Sequence, residues 1–405
     1  MNYQFETKEF DYYLPEEKIA KYPLEKRNQS KLLIYKDGKI KEKIFYQIYE
    51  EIPEGYLLIF NNTKVIPARL FFKKATGAVI EIFLLEPFFP KDYSLIFQAK
   101  ETCQWICYIG NLKRWKNNES LSLEIKLNND TILLYAKKID NYKDGYIVEF
   151  TWNGNYNFID LINKTGNIPI PPYLKRNVEK IDYERYQTIF SKIAGSVAAP
   201  TASLHFTEQE FKEFDKKNIK YDFLTLHVGA GTFKPITTKY INEHELHTET
   251  FKFNKSLLKL ILKQYPNIIA VGTTTLRALE SIYHVANIFV NTQKIVDEID
   301  QWCEYSSFIK NETIFVLKKL YDYIVKNNID EVEVKTKLMI SPGYKIKMAN
   351  ALITNFHQPK SSLLTLIYTF VEDDWRKIYD YALNNNFRFL SYGDCSLLWK
   401  KGYEK

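Results

Sequence analysis

Apolar and polar positions divide the chain into three kinds of text. Residues 31–45, KLLIYKDGKIKEKIF, hold two strand-like runs around Asp37-Gly38, a pair that favours the tight turn of a hairpin. YLLIFNNTKVIPARLFF continues as strand, turn at Asn61-Asn62, and strand. Nearer the start, FDYYLPEEKIAKYP predicts a loop and then a short helix stopped before Pro23.

Between about 71 and 150 the text changes. VIEIFLLEP, YSLIFQAK, WICYIG, LSLEIKL, TILLYAKKI and YIVEF are short apolar or alternating runs separated by polar turns such as LNND and YKDG. Closely spaced strands without helix signals predict a small antiparallel barrel or sandwich. After Trp152 helix and strand alternate. In FTEQEFKEFDKKN, Thr207 and Glu210 have capping-box spacing, and Phe206 and Phe211 occupy the staple positions. SLLKLILKQY predicts a helix halted before Pro266, IIAVG a buried strand, and EDDWRKIYDYALNNN an amphipathic helix. The expected architecture is an α/β main domain with a mixed sheet, residues 1–70 and 152–405, carrying an inserted β-barrel at 71–151.

Composition narrows the classes. The 405 residues are 45% hydrophobic and 26% charged, enough for a large core in two domains. A formal net charge of +7 suits a polyanionic partner. The N-terminus is acidic and aromatic, unlike a signal peptide, and the apolar stretch 363–371 is too short to span a bilayer. Four cysteines in this length suit a reducing cytoplasm. Cys103 and Cys107 fall in one strand, where residues four apart sit roughly 13 Å from each other, too far to share a metal.

Several segments could carry chemistry. Four of the six histidines, His205, His227, His244 and His247, cluster in sequence, yet HELH lacks the i, i+4 spacing of a helical zinc site, so no metal is expected. His205 precedes a helix start, where the dipole disfavours an imidazolium and leaves a neutral proton acceptor; alternatively it binds loop backbone. Gly229 and Gly231 in LHVGAGTFKPI permit close approach to a ligand or make a strand-end turn. VGTTTLRALES offers either an anion site at a helix start or simple capping by Thr273 or Thr274. GNIPIPPYLKR is a stiff loop whose Tyr173, Lys175 and Arg176 could meet a nucleic acid, or a linker with a solvated basic end.

Taken in order, FDYYLPEEKIAKYPLEKRNQSKLLIY, NNTKVIPARL, GNIPIPPYLKR, AAPTASLHFT, TLHVGAGTFKPI, EHELHTE, GTTTLRALES, ITNFHQPKSS and RFLSYGD closely resemble the S-adenosylmethionine:tRNA ribosyltransferase-isomerase family of queuosine biosynthesis. That resemblance covers both ends and most of the middle. It implies an α/β domain with an inserted six-stranded barrel. It also implies a cytoplasmic, monomeric enzyme that uses S-adenosylmethionine as ribosyl donor and co-substrate, without a cofactor. The acceptor would be 7-aminomethyl-7-deazaguanine at the wobble position of a tRNA, and the product epoxyqueuosine.

Roles follow as expectations. His205 is the first candidate for proton transfer, His227 the second and His357 the third. Thr201 and Thr207 would hold His205, while Gly229, Gly231 and Thr232 approach the adenosine. Thr274 and Arg277 would hold the methionine carboxylate. Asn355, Lys360, Tyr392 and Asp394, together with His357, would bind the modified base or order the site. Three positions depart from the family pattern: Ser203 and Asn350 stand where it has glycine and aspartate, and Ser362 replaces a threonine. A serine at 203 would be strained if φ there were positive. An RNA-binding protein of this family without catalysis, or a hydrolase built on the histidines, are the rival readings.

Overall fold

The computed structural model describes residues 5–233 and 235–402. The first four residues of the acidic N-terminal segment, Lys234 of the glycine loop and the last three residues lie outside these.

Ten strands form one mixed sheet. In spatial order they are Glu298–Ile299, Glu331–Thr336, Glu249–Asn254, Lys220–Leu226, Leu57–Asn61, Ile268–Val271, Ala351–Asn355, Cys395–Trp399, Lys31–Lys36 and Lys39–Ile44. Four adjacent strands in the middle, 220–226, 57–61, 268–271 and 351–355, run parallel. The last three of these are buried at every position, which is why their text is unbroken apolar sequence rather than an alternation. The Asp37-Gly38 hairpin forms as its residues require, with φ of 48° and 76° at the two positions.

The helix Thr273–Thr292 is buried from Thr273 to Phe289, so its polar residues need internal partners. Glu280 accepts hydrogen bonds from the backbone N–H of Lys347 and Met348 and from the Tyr344 hydroxyl. Ser281 shares a hydrogen bond with Thr336, and Asn287 accepts from Asn311. The Glu280 bonds tie the connection before strand 351–355 to the helix.

A second sheet has the order Arg69–Lys73, Val79–Phe89, Thr102–Gly110, Gly145–Trp152, Asp130–Tyr142 and Ser120–Leu127. Every pairing is antiparallel, and the first strand lies against the last, giving a nearly closed barrel inserted in the main domain. Strand 130–142 shows the cause: Ile132, Leu134 and Ala136 point inward while Thr131, Leu133 and Tyr135 face out.

Two local expectations are corrected. YSLIFQ is a helix, Tyr93–Gln98, because the Asp92 side chain accepts from Leu95 N–H at 2.9 Å and caps its first turn; the sixth barrel strand is Arg69–Lys73 instead. The helix expected before Pro23 shrinks to one 3-10 turn, Glu16–Lys18. The capping box at 207–210 is as expected, with Thr207 N–H bonded to Glu210 at 2.7 Å and Phe206 and Phe211 rings 6.0 Å apart. No helix among the described residues is long and apolar enough to cross a membrane.

With Tyr344 still bonded to His284, Glu280→Ala leaves the backbone N–H groups of Lys347 and Met348 without their acceptor. It should lower unfolding free energy by about 3 kcal/mol, read as a lower urea midpoint.

Candidate active site

The central parallel strands all finish at one edge of the sheet, and the segments that follow them converge there. In an open α/β sheet this carboxyl edge is where ligands bind. Ala198–Ala202, Val228, Thr232, Gly272–Thr274, Thr354–Gln358 and Leu390–Ser391 surround a cavity open at one side. Hydroxyls, amides, one imidazole and apolar groups line it; among the described residues no Asp, Glu, Lys or Arg does.

One wall is the start of helix 273–292. Its N-cap is Gly272, whose φ of +98° disfavours any side chain, and no side chain caps the helix. Thr275 spends its hydroxyl on Val271 C=O at 2.8 Å. Capping by Thr273 or Thr274 is therefore not what these residues do. They line the cavity, where the positive end of the helix dipole favours an anionic group.

A wider cleft, about 1010 Å³, joins the cavity through Thr232 and Leu363. It runs between the barrel residues Leu85, Glu86 and Tyr108 and the main-domain segments 229–232 and 242–249. Arg277 stands in its wall. Its Nη1 donates to Glu249 at 2.7 Å, and the other Glu249 oxygen accepts from Gly229 N–H at 3.2 Å. A Cβ on Gly231 would lie 1.7 Å from the His247 ring, so glycine is needed there for packing; at Gly229 the space is open. His244 and His247 line the cleft, and no group of three or more potential metal ligands is assembled among the described residues.

The three candidate histidines are placed differently. His357 lines the cavity. Its Nε2 lies 2.9 Å from Thr354 Oγ1, and Nδ1 has no hydrogen bond among the described residues. His205 is one layer behind: Ser30 Oγ meets Nδ1 at 2.9 Å and Asn355 Nδ2 meets Nε2 at 3.2 Å. His227 is further away, at the junction with the barrel, with its ring 4.3 Å from that of Tyr93 and Nδ1 bonded to Thr63. Burial, the largest cause in each case, pushes all three down to about 3, and His284 likewise. His205 is thus neutral chiefly because it is buried.

Of the other expected residues, Thr201, Thr232, Thr274, Asn355 and Tyr173 line the cavity. Thr207 is a helix cap. Asp394 is spent on structure: its carboxylate accepts from Lys31 N–H, Arg388 N–H and the Arg388 guanidinium. The Tyr392 hydroxyl donates to Asp182 at 2.8 Å. Lys360 pairs with Asp11 at 2.9 Å. Lys175 pairs with Glu16 on the surface, and Arg176 makes two 2.7 Å bonds to buried Asp182. Ser203 sits in the 3-10 turn Thr201–His205, outside the positive-φ residues, so the feared strain is absent. Asn350 lies at the opposite end of strand 351–355, where its side chain donates to Pro266 C=O. Sequence reasoning weighed Thr273 only as a helix cap and passed over Thr354, Gln358, Ser361 and Ser391, all in the cavity wall. Their position inside the quoted motifs was the available signal.

This edge cavity with its adjoining cleft defines a substrate-binding α/β enzyme carrying a barrel. The model of a family described as queuosine biosynthesis protein matches residues 7–398. An S-adenosylmethionine:tRNA ribosyltransferase-isomerase of Buchnera aphidicola subsp. Schizaphis graminum is 39% identical over 399 residues, 95% of this chain and 94% of its own. The protein of that description from Sulfurihydrogenibium sp. is 35% identical, covering 96% and 98%. A solved S-adenosylmethionine tRNA ribosyltransferase from Thermotoga maritima aligns with 96% of this chain and 99% of that one, at 26% identity and a TM-score of 0.45. The chain belongs to the S-adenosylmethionine:tRNA ribosyltransferase-isomerase family of queuosine biosynthesis proteins.

The buried histidines give a pH signature. In the unfolded chain they take up protons near pH 6.5, but in the folded one only near 3. Between these values the unfolded state binds more protons, so stability falls as pH drops. The urea midpoint should decrease steadily from pH 7 to pH 5, above the range where carboxylates titrate. A flat midpoint over that span would contradict neutral burial.

Proposed function

We propose that this chain transfers and isomerises the ribosyl group of S-adenosylmethionine onto 7-aminomethyl-7-deazaguanine at the tRNA wobble position. Epoxyqueuosine-tRNA is formed and adenine and methionine are released. The observation that carries this reading is the convergence of segments 198–202, 272–274 and 354–358 on one uncharged cavity, in a chain matched along its length by enzymes of that description.

The chemistry needs few groups. A sulfonium acidifies the hydrogens on the adjoining ribose carbon, and a neutral base removes one. The resulting ylide expels adenine as the sugar ring opens. The aminomethyl nitrogen attacks the activated sugar, and methionine departs with the C–S electron pair as the epoxide closes. His357 takes the role of proton acceptor, because it alone of the three candidate rings lines the cavity and holds a nitrogen free of protein hydrogen bonds. Its low basicity is a consequence of burial, and the cationic donor acidifies the hydrogen to match. His205 acts through Asn355 as a positioning residue. Thr273, Thr274 and the helix start receive the methionine carboxylate, with Arg277 close behind in the cleft wall. The wide cleft admits the anticodon arm, and the bound tRNA covers the cavity and keeps water from the reactive intermediate. Such an enzyme works in the cytoplasm, beside its tRNA.

Incubation with adenine-labelled S-adenosylmethionine and the modified tRNA should release adenine and yield epoxyqueuosine in nucleoside mass spectrometry. His357→Ala should lower kcat by at least about a hundredfold. Turnover near wild type in that variant would remove His357 as the acceptor, and no adenine release from the wild type would overturn the function.

A further inference from the structure

Beside the cavity, sharing Ser391 with it, is a smaller pocket lined by Arg27, Arg185, Arg388, Ser30, Ser391 and Tyr392. Its charges do not balance. Among the described residues neither Arg27 nor Arg185 has a carboxylate within ion-pair distance, and both spend donors on backbone carbonyls instead. Arg27 reaches Leu204 C=O at 3.2 Å and Glu184 C=O at 2.9 Å; Arg185 reaches Glu25 at 3.0 Å and Leu24 at 2.7 Å. The Arg185 Nε is buried with no acceptor. No Asp or Glu lines the pocket among the described residues; Arg388 alone of its three arginines is ion-paired, to Asp394 behind it at 3.1 Å. Arg176 shows the contrast: it is matched by Asp182 through two bonds and needs nothing further.

Crowded guanidinium groups without counter-charge are costly, and an anion relieves them. Burial and the neighbouring Arg185 push Arg27 below its ordinary range, in keeping with that crowding. Planar forks of N–H donors match phosphate oxygens well, and the Ser30 and Ser391 hydroxyls add two more polar contacts. The partition between pocket and cavity is thin: Asn355 lines the cavity and bonds His205, which lines the pocket.

We infer that this pocket binds a phosphodiester group of the nucleic-acid substrate, the one flanking the nucleotide whose base enters the cavity. The inference rests on the function proposed above. Backbone anchoring here would set the register of the strand, while the cavity reads the base.

The test is binding of the full-length protein to an anticodon stem-loop, read apart from turnover. Arg27→Gln should weaken binding about tenfold and lower the slope of log affinity against log salt by about one, with KM for S-adenosylmethionine unchanged. Replacing single phosphodiesters around the wobble nucleotide by neutral methylphosphonates should weaken wild-type binding at one linkage, and Arg27→Gln should be indifferent to that same change. Unaltered affinity and salt slope in an Arg27→Gln protein that melts normally would overturn the inference. If Arg27→Gln does not fold, the wild-type linkage scan decides alone, and a scan with no sensitive linkage overturns it. A thermal shift with inorganic phosphate alongside an insensitive linkage scan would assign the pocket to free phosphate and also overturn it. Failure of the wild type to bind any stem-loop would instead count against the function.

Discussion

Neighbouring parallel strands must stop pairing somewhere, and in this sheet the central four stop at one edge. The Asn61 side chain marks the place. Fully buried, it donates to Leu226 C=O at 2.8 Å and accepts from Leu226 N–H at 3.0 Å, continuing in side-chain form the ladder between strands 57–61 and 220–226. Beyond that bridge the chains part. The segments after strands 220–226, 268–271 and 351–355, with the start of helix 273–292, then face a common space, and the cavity is the result.

The barrel and the buried helix both brace that edge. His227, just past strand 220–226, packs on Tyr93 of the barrel's short helix, so the insertion touches the sheet where the loops begin. A Cβ on Gly195 would come within 2.7 Å of the His227 ring, so the contact is close-packed from the other side as well. On the far side, Glu280 draws the backbone at 347–348 onto the helix and so fixes the approach to strand 351–355, whose end carries Asn355 and His357.

Much of the fold was legible in the text. Period-two alternation gave the barrel strands, unbroken apolar runs gave the central sheet, and the capping box gave the helix at 208. The miss at YSLIFQ has a local reason: six apolar and polar letters fit either element, and one hydrogen bond from Asp92 decided it. The segments of the site were legible, and of the expected residues Thr201, Thr232, Thr274, Asn355 and His357 line the cavity. Asp394, Lys360 and Arg176 do not; the fold consumes them in ion pairs. The cavity is walled by threonines, serines and amides instead, and no periodicity distinguishes a hydroxyl facing a ligand from one facing solvent. The order among the histidines depended on which lies in front of Asn355, a tertiary fact.

The uncharged lining bears on how the enzyme lets go. A donor of this kind arrives with a positive sulfur and departs as a neutral thioether. Among the described residues the chamber offers no carboxylate to grip the incoming cation, so no ion pair has to be broken when that charge vanishes. In the binding mode proposed above, dipoles at the carboxylate and apolar contact along the molecule hold donor and spent fragment about equally. On that reading, products leave without an ion pair to break, through the same mouth by which the donor enters.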